Sequence, residues 1–174
     1  MKNLPAGPNP PKDVYCVVEI PRGGSNKYEF DDKLNTFVLD RVLYGAVFFP
    51  TEYGYIPSTI GEDDDPLDIM VITTYPTFPG CVLESSVVAA LKIIDTNKLD
   101  YKIIALAKND PRLDKITNLK SLPPHFKKEV EDFWGSYARL QPKKKIVVGN
   151  WLNKKRALKI VEESINRFKQ KNER

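Results

Sequence analysis

Fourteen prolines punctuate 174 residues, well above the average usage of about 5%. Proline fixes φ and has no N–H to give, so it stops helices and is excluded from central strands. A chain interrupted this often builds from short strands joined by turns. The first 13 residues, rich in proline and glycine, read as an arm lying over the surface. A β-like run from Val14 to Ile20 ends at Pro21 and the turn Arg22-Gly23-Gly24-Ser25. Lys27-Tyr28-Glu29-Phe30 alternates at period two; a turn over residues 31–35 follows, then a second alternating stretch from Thr36 to Val42. That is the pattern of a β-hairpin. The aromatic segment from Val47 to Ile56 stops at Pro57, and Ile69–Ile72, Val87–Ile94 and Tyr101–Ala107 are further β runs. Short strands at this spacing indicate a small antiparallel barrel or sandwich.

The last third changes period. Pro123 and Pro124 suit a first helical turn, and Phe126, Val130, Phe133, Trp134 and Tyr137 recur at helical spacing. Asn153 is a good N-cap for a second helix with Ala157, Ile160, Val161, Ile165 and Phe168 on one face. The two helices are expected to close one side of the barrel. With no internal repeat and no low-complexity linker, residues 1–174 read as one domain.

Composition narrows the function. Hydrophobic residues make up 41% and charged ones 29%, enough for a packed core and against wholesale disorder. Cys16 and Cys81 form no metal or redox motif. No apolar run approaches a membrane span and the N-terminus is no signal peptide, so a soluble, cytoplasmic protein is expected. The single histidine, His125, excludes most catalytic zinc sites and reads as structural or exposed. Basic residues outnumber acids 27 to 23 and crowd the C-terminal third. Acids gather instead in the middle, at Glu62-Asp63-Asp64-Asp65-Pro66-Leu67-Asp68.

That acidic loop is the feature with chemistry in it. Three successive aspartates, with Glu62 before them, repel one another beside an apolar strand, and such a cluster either raises its own pKa values or recruits a cation. Mg²⁺ wants oxygen ligands in octahedral array, and Pro66 stiffens the turn that aims Asp63, Asp65 and Asp68 into one volume. An EF-hand does not fit, because the glycine and the terminal glutamate of that loop are missing. A solvated turn is the bland alternative. What favours the cation is a second acidic pair, Asp95 and Asp100, with Lys102 just after it. Glu19, Lys27, Glu29 and Arg41 on the first strands, and the hydroxyls of Tyr53, Tyr55 and Tyr137, add to the set. Carboxylates alternating with cations make sense around metal-bound phosphate.

From Val14 to about Trp151 the chain resembles the soluble family I inorganic pyrophosphatases, through Asp63-Asp64-Asp65-Pro66-Leu67-Asp68-Ile69, the D-x-D-P-x-D signature. Glu19-Ile20-Pro21, Lys27-Tyr28-Glu29, Asp40-Arg41, Tyr53-Gly54-Tyr55 and Asp95 with Asp100-Tyr101-Lys102 follow in the same order. The resemblance implies an α+β, mainly β fold: a five-stranded OB-like barrel with two C-terminal flanking helices. It implies Mg²⁺-dependent hydrolysis of pyrophosphate by a metal-activated water or hydroxide, with Asp65 as general base. Asp63, Asp68 and Asp100 would ligate the tightest Mg²⁺, Asp68 would bridge to a second ion, and Asp95 with Asp100 would hold a third. Glu29 would reach a fourth, with Glu19 acting through bound water. Lys27, Arg41 and Tyr53 would bind one phosphate group, Lys102 and Tyr137 the other. A homo-oligomer, a hexamer for a chain this short, is implied as well.

Two positions depart from the family pattern. Phe49 replaces a frequent tyrosine, and the usual Tyr-Lys pair reads Tyr137-Ala138. Weaker phosphate binding is expected at that subsite, with Arg139 or a lysine of Lys143–Lys145 as replacements, although the Lys143–Lys145 run, like Lys33 and Lys98, otherwise reads as solvated surface. Tyr28, Tyr55 and Tyr101 read more simply as packed aromatics with wet hydroxyls. An OB barrel also suits a nucleic-acid-binding module, but that function needs a basic, aromatic-lined groove. A phosphohydrolase acting on nucleotides or monoesters ranks behind both, for want of an adenine-binding motif or an Asp-x-Asp-x-Thr nucleophile. Pyrophosphate as the partner, with no nucleic acid and no membrane, is the expectation.

Overall fold

Residues 4–31 and 33–173 are described by a computed structural model of the chain; the start of the expected arm and Asp32 of the expected hairpin turn lie outside them. In chain order the strands are β1 (Asp13–Ile20), β2 (Asn26–Asp31), β3 (Thr36–Val42), β4 (Glu52–Tyr55), β5 (Asp68–Ile72), β6 (Val82–Asp95) and β7 (Lys98–Ala107). The C-terminal part adds helix α1 (Pro124–Tyr137), strand β8 (Ile146–Leu152) and helix α2 (Lys154–Asn172). Asn153 caps α2 as its sequence suggests, its side chain accepting the Arg156 N–H.

Strands β1, β4, β5, β7 and β6 pair in that order and β6 returns to β1, closing a five-stranded, OB-like ring. The expected all-antiparallel barrel needs one correction: β5 and β7 run parallel, with Ile69 opposite Ile103. Five is an odd number, and strands alternating in direction around a closed ring of five must leave one parallel seam. Strand β6 is long enough to pair with β1 at one end and β8 at the other, and register breaks at Val87/Ala89 and Leu91/Ile93 bend it between these tasks. Gly54 lets β1 and β4 close up: a Cβ there would stand 1.9 Å from the Val17 carbonyl oxygen.

The ring is buried on both faces. Met70 and Ile104 join Ile20, Leu91, Val130, Phe133 and Trp134 in one apolar cluster, while Ile69, Val71, Ile103 and Ala105 join Val14, Ala157, Ile160 and Val161 in another. Helix α1 therefore serves one cluster and α2 the other, so the expectation that both close the same side is corrected. Burial on two faces explains why the ring strands read as continuous apolar runs instead of alternating. The β2–β3 hairpin stands apart as a two-stranded sheet, with Lys27 opposite Arg41.

Strand β8 is an addition to the elements that the sequence pattern marks. Its sequence, Ile146-Val147-Val148-Gly149-Asn150-Trp151-Leu152, has the β-branched content of a strand, but it lies between two helical patterns and carries a central glycine. Gly149 is required by the pairing, since a Cβ there would meet the Lys92 carbonyl oxygen at 2.9 Å.

Candidate active site

The acidic loop hangs from the ring by a closed neck. Strand β4 leads into Ile56, whose N–H donates to the Leu67 carbonyl at 2.9 Å. The Thr59 hydroxyl donates to the Ile56 carbonyl and accepts the Leu67 N–H, and the side chain of Leu67 is buried. Further out, the Gly61 N–H donates to the Asp65 carbonyl at 2.7 Å, and the Asp65 N–H to Asp63 Oδ1 at 3.3 Å. Asp64 takes the left-handed conformation, with φ at 76°, and Gly61 leaves room for Asp63, whose Oδ1 would stand 2.8 Å from a Cβ. Glu62 is drawn off: its carboxylate pairs with Arg167 of α2 at 3.1 Å. Neither Glu62 nor Asp64 faces the cavity below, whereas Asp63, Asp65 and Asp68 line it.

That cavity has a volume of about 660 Å³. Every residue to which the family resemblance gives a catalytic, metal or phosphate role opens on it. Glu19 comes from the end of β1, Lys27 and Glu29 from β2, Arg41 from β3 and Tyr53 from β4; Asp68 starts β5, Asp95 ends β6, Asp100 and Lys102 lie on β7, and Tyr137 ends α1. The sequence pattern did not single out Trp134 as part of a site, because its helical spacing marks it as core; it is core and wall at once. Tyr55 lines the cavity too, as do Leu4 of the arm and Phe168 of α2. His125 is exposed on α1 beside Glu129. Phe49 is packed among Tyr53, Phe133 and Trp134 in the core, so the hydroxyl it lacks is missing from an apolar wall.

Three ion-pair groups organise the floor. Lys102, 3% exposed, lies between Asp68 and Asp100, in contact with the first and 2.6 Å from the second. Its ammonium also sits 4.9 Å from the Trp134 ring centroid, and the Tyr53 hydroxyl donates to Asp68 at 2.6 Å. On the hairpin side, Lys27 pairs with Glu29 and reaches Asp40 at 3.6 Å. Arg41 pairs with Asp40 and donates from Nη2 to the Tyr137 hydroxyl at 3.0 Å. At the third corner, Lys144 pairs with Asp95 at 2.7 Å. Of the replacements considered for the missing ammonium at Ala138, Lys144 lines the cavity, whereas Arg139 is exposed and does not.

Seven carboxylates face four cations across this space (Lys27, Arg41, Lys102 and Lys144). The acid excess has a cost in ionisation. Burial, and then the charge of Asp68, pushes the Glu19 carboxyl up to about 8. Burial likewise raises Asp100 to about 6, with Asp68 adding to it and Lys102 opposing. Asp63 is raised as well, chiefly by burial. Burial alone would lower Lys102, but Asp68 and Asp100 overcome it and hold the ammonium charged. Among the described residues no three acidic, histidine or cysteine side chains already converge as a cation cage; the Lys102 ammonium stands between two of the acids instead. The donor set nevertheless suits a hard divalent cation: it is all oxygen, rich in carboxylate and short of positive charge.

A family model described as inorganic pyrophosphatase matches residues 16–169. The chain is 45% identical over 157 residues to an inorganic pyrophosphatase of Geobacillus stearothermophilus, a match spanning 90% of this chain and 94% of that protein. The crystal structure of inorganic pyrophosphatase from Thermus thermophilus superposes with a TM-score of 0.93 at 44% identity, covering 97% of this chain and 98% of that one. The inorganic pyrophosphatase of Helicobacter pylori superposes with a TM-score of 0.91 at 31% identity, covering 96% and 99%.

Proposed function

We infer the reaction from two premises: the chain belongs to the inorganic pyrophosphatase family, and the acids, cations and hydroxyls singled out in its sequence line one cavity. The second premise is the observation that carries the reading. The reaction is hydrolysis of pyrophosphate by water to two phosphates, dependent on Mg²⁺. Asp63, Asp68 and Asp100 would hold the tightest ion, Asp68 sharing a second and Asp95 with Asp100 a third; Glu29 would serve a fourth and Glu19 would act through water. Bound divalent cations would offset the acid excess and lower the pKa of the water they hold.

The protein's own groups divide the remaining work. Asp65, exposed at the mouth of the cavity, takes the proton from the attacking water. Lys27, Arg41 and Tyr53 bind one phosphate group of the substrate; Lys102 and Tyr137 bind the other. Pyrophosphate hydrolysis asks for little covalent help, so charge neutralisation and alignment dominate. The reading gives nucleic acid no part, since an acid-rich cavity repels a phosphodiester backbone.

The test is phosphate release from pyrophosphate with and without Mg²⁺, in the parent protein and in Asp65→Asn and Asp68→Asn. We expect Mg²⁺-dependent release, and a fall in kcat of about a hundredfold or more in each variant, the scale of losing a positioned base. Release that ignores Mg²⁺, or that survives both substitutions, overturns the reading.

A further inference from the structure

Lys144 has no task in that reaction, yet it is built into the site. Its neighbours Lys143 and Lys145 are exposed while Lys144 turns inward. The backbone fixes that choice. Lys143 adopts the left-handed conformation, with φ at 64°. The Thr96 N–H donates to the Lys145 carbonyl at 2.8 Å, and Ile146 pairs in register with Asp95. The residue before β8 is thereby clamped beside the end of β6. The ammonium lies 2.7 Å from Asp95 and 5.8 Å from the centroid of the Tyr137 ring. The hydroxyl of the same ring takes a hydrogen bond from Arg41. An ammonium over the ring and a guanidinium at its hydroxyl bracket Tyr137 from two directions, an arrangement suited to an anion with several oxygens.

We propose that Lys144 is a phosphate-binding residue of the Tyr137 subsite, held on Asp95 until a divalent cation takes that carboxylate and releases the ammonium to the phosphate. The proposal rests on the pyrophosphatase reading and adds a residue to it. Asp95 would hold a divalent ion more strongly than it holds the singly charged ammonium, which would then leave the carboxylate. Once displaced, the flexible lysine stem lets the ammonium follow the phosphate. Lys144 thus competes with the cation in the empty site and assists the anion in the loaded one.

Those two actions have opposite signs, which a merely structural lysine would not produce. The experiment compares the parent with Lys144→Gln and Lys144→Arg, with Lys143→Gln as a surface control and thermal melts to establish folding. Calorimetric titration with Mg²⁺ alone, in phosphate-free buffer, should show tighter binding at one site in Lys144→Gln. Titration with inorganic phosphate at saturating Mg²⁺ should show binding weakened about tenfold, the scale of one charge-assisted hydrogen bond. KM for pyrophosphate should rise by a similar factor with a smaller change in kcat. Lys144→Arg should restore phosphate binding, and Lys143→Gln should match the parent. Unchanged phosphate affinity in Lys144→Gln overturns the proposal, and so does a joint loss of Mg²⁺ and phosphate binding. If the parent fails to hydrolyse pyrophosphate, the reaction assignment falls by itself, and the phosphate titration still decides the role of Lys144.

Discussion

Single residues in this protein are tuned by the charges around them, and the tuning has a measurable sign. Glu19 and Asp100 hold protons in the folded, metal-free state, at about 8 and about 6, where an unfolded chain has already lost them near 4. Between those limits the native state binds more protons than the unfolded one, so stability falls as pH rises. The lowered carboxyls of Asp13 and Asp110 change charge below this window, and the raised Lys27 and Lys102 above it. Metal-free protein is therefore expected to melt lower at pH 8.5 than at pH 6. Allowing for screening by water in the cavity, the loss is about 2 kcal/mol, or ~4–8 °C in Tm. Saturating Mg²⁺ should remove or reverse the trend, because bound cations favour the ionised carboxylates. Scanning calorimetry at the two pH values, with chelator and with Mg²⁺, checks it; a metal-free protein that is steadier at pH 8.5 contradicts the assignment. The acids themselves were legible from the order of short motifs. The inward turn of Lys144 was not, because three successive lysines give no sequence signal for which one a turn will aim at the site.

At the scale of elements, the acidic loop is positioned by the last helix, through an arginine 105 residues beyond Glu62. Arg167 of α2 donates to the Ile60 carbonyl at 2.8 Å, to Glu62 at 3.1 Å and to Ser164 at 2.8 Å, and the Ile60 N–H donates to the Ser164 carbonyl. One guanidinium thus joins the last helix to the start of the loop that offers Asp63 and Asp65. Arg167→Ala is expected to cost about 1–2 kcal/mol of stability and to weaken Mg²⁺ binding severalfold without touching a proposed ligand. Thermal melts and Mg²⁺ titration measure both effects. Unaltered Mg²⁺ affinity would mean that the neck bonds of Thr59 and Leu67 position the loop without help. Helix spacing told α1 and α2 from the strands, and Asn153 marked where α2 starts. The apolar stripes do not encode which face of the ring each helix covers, and β8 has no local signature because its pairing partner, β6, is distant in sequence and its glycine looks like a break.

For the whole molecule, the resemblance implies a hexamer, and the surface has material for subunit contacts: Tyr75, Phe78 and Phe48 are 70%, 65% and 62% exposed. Light scattering on the eluted protein should give about six times the chain mass of 19.9 kDa; a peak at the mass of one chain contradicts that assembly. Among the described residues no helix is long and apolar enough to cross a membrane. Sequence alone determined the residue types and their order: the hairpin with Lys27 and Glu29, the acidic turn stiffened by Pro66, the helix stripes and the family they belong to. These are local properties, written in periods of two or 3.6 residues and in short motifs. Only the tertiary structure decided that β5 and β7 run parallel, that Lys102 lies between Asp68 and Asp100, and that Lys144 alone of its run reaches the cavity. Each depends on which distant segments meet when a ring of five strands closes, and that closure is a property of the chain as a whole.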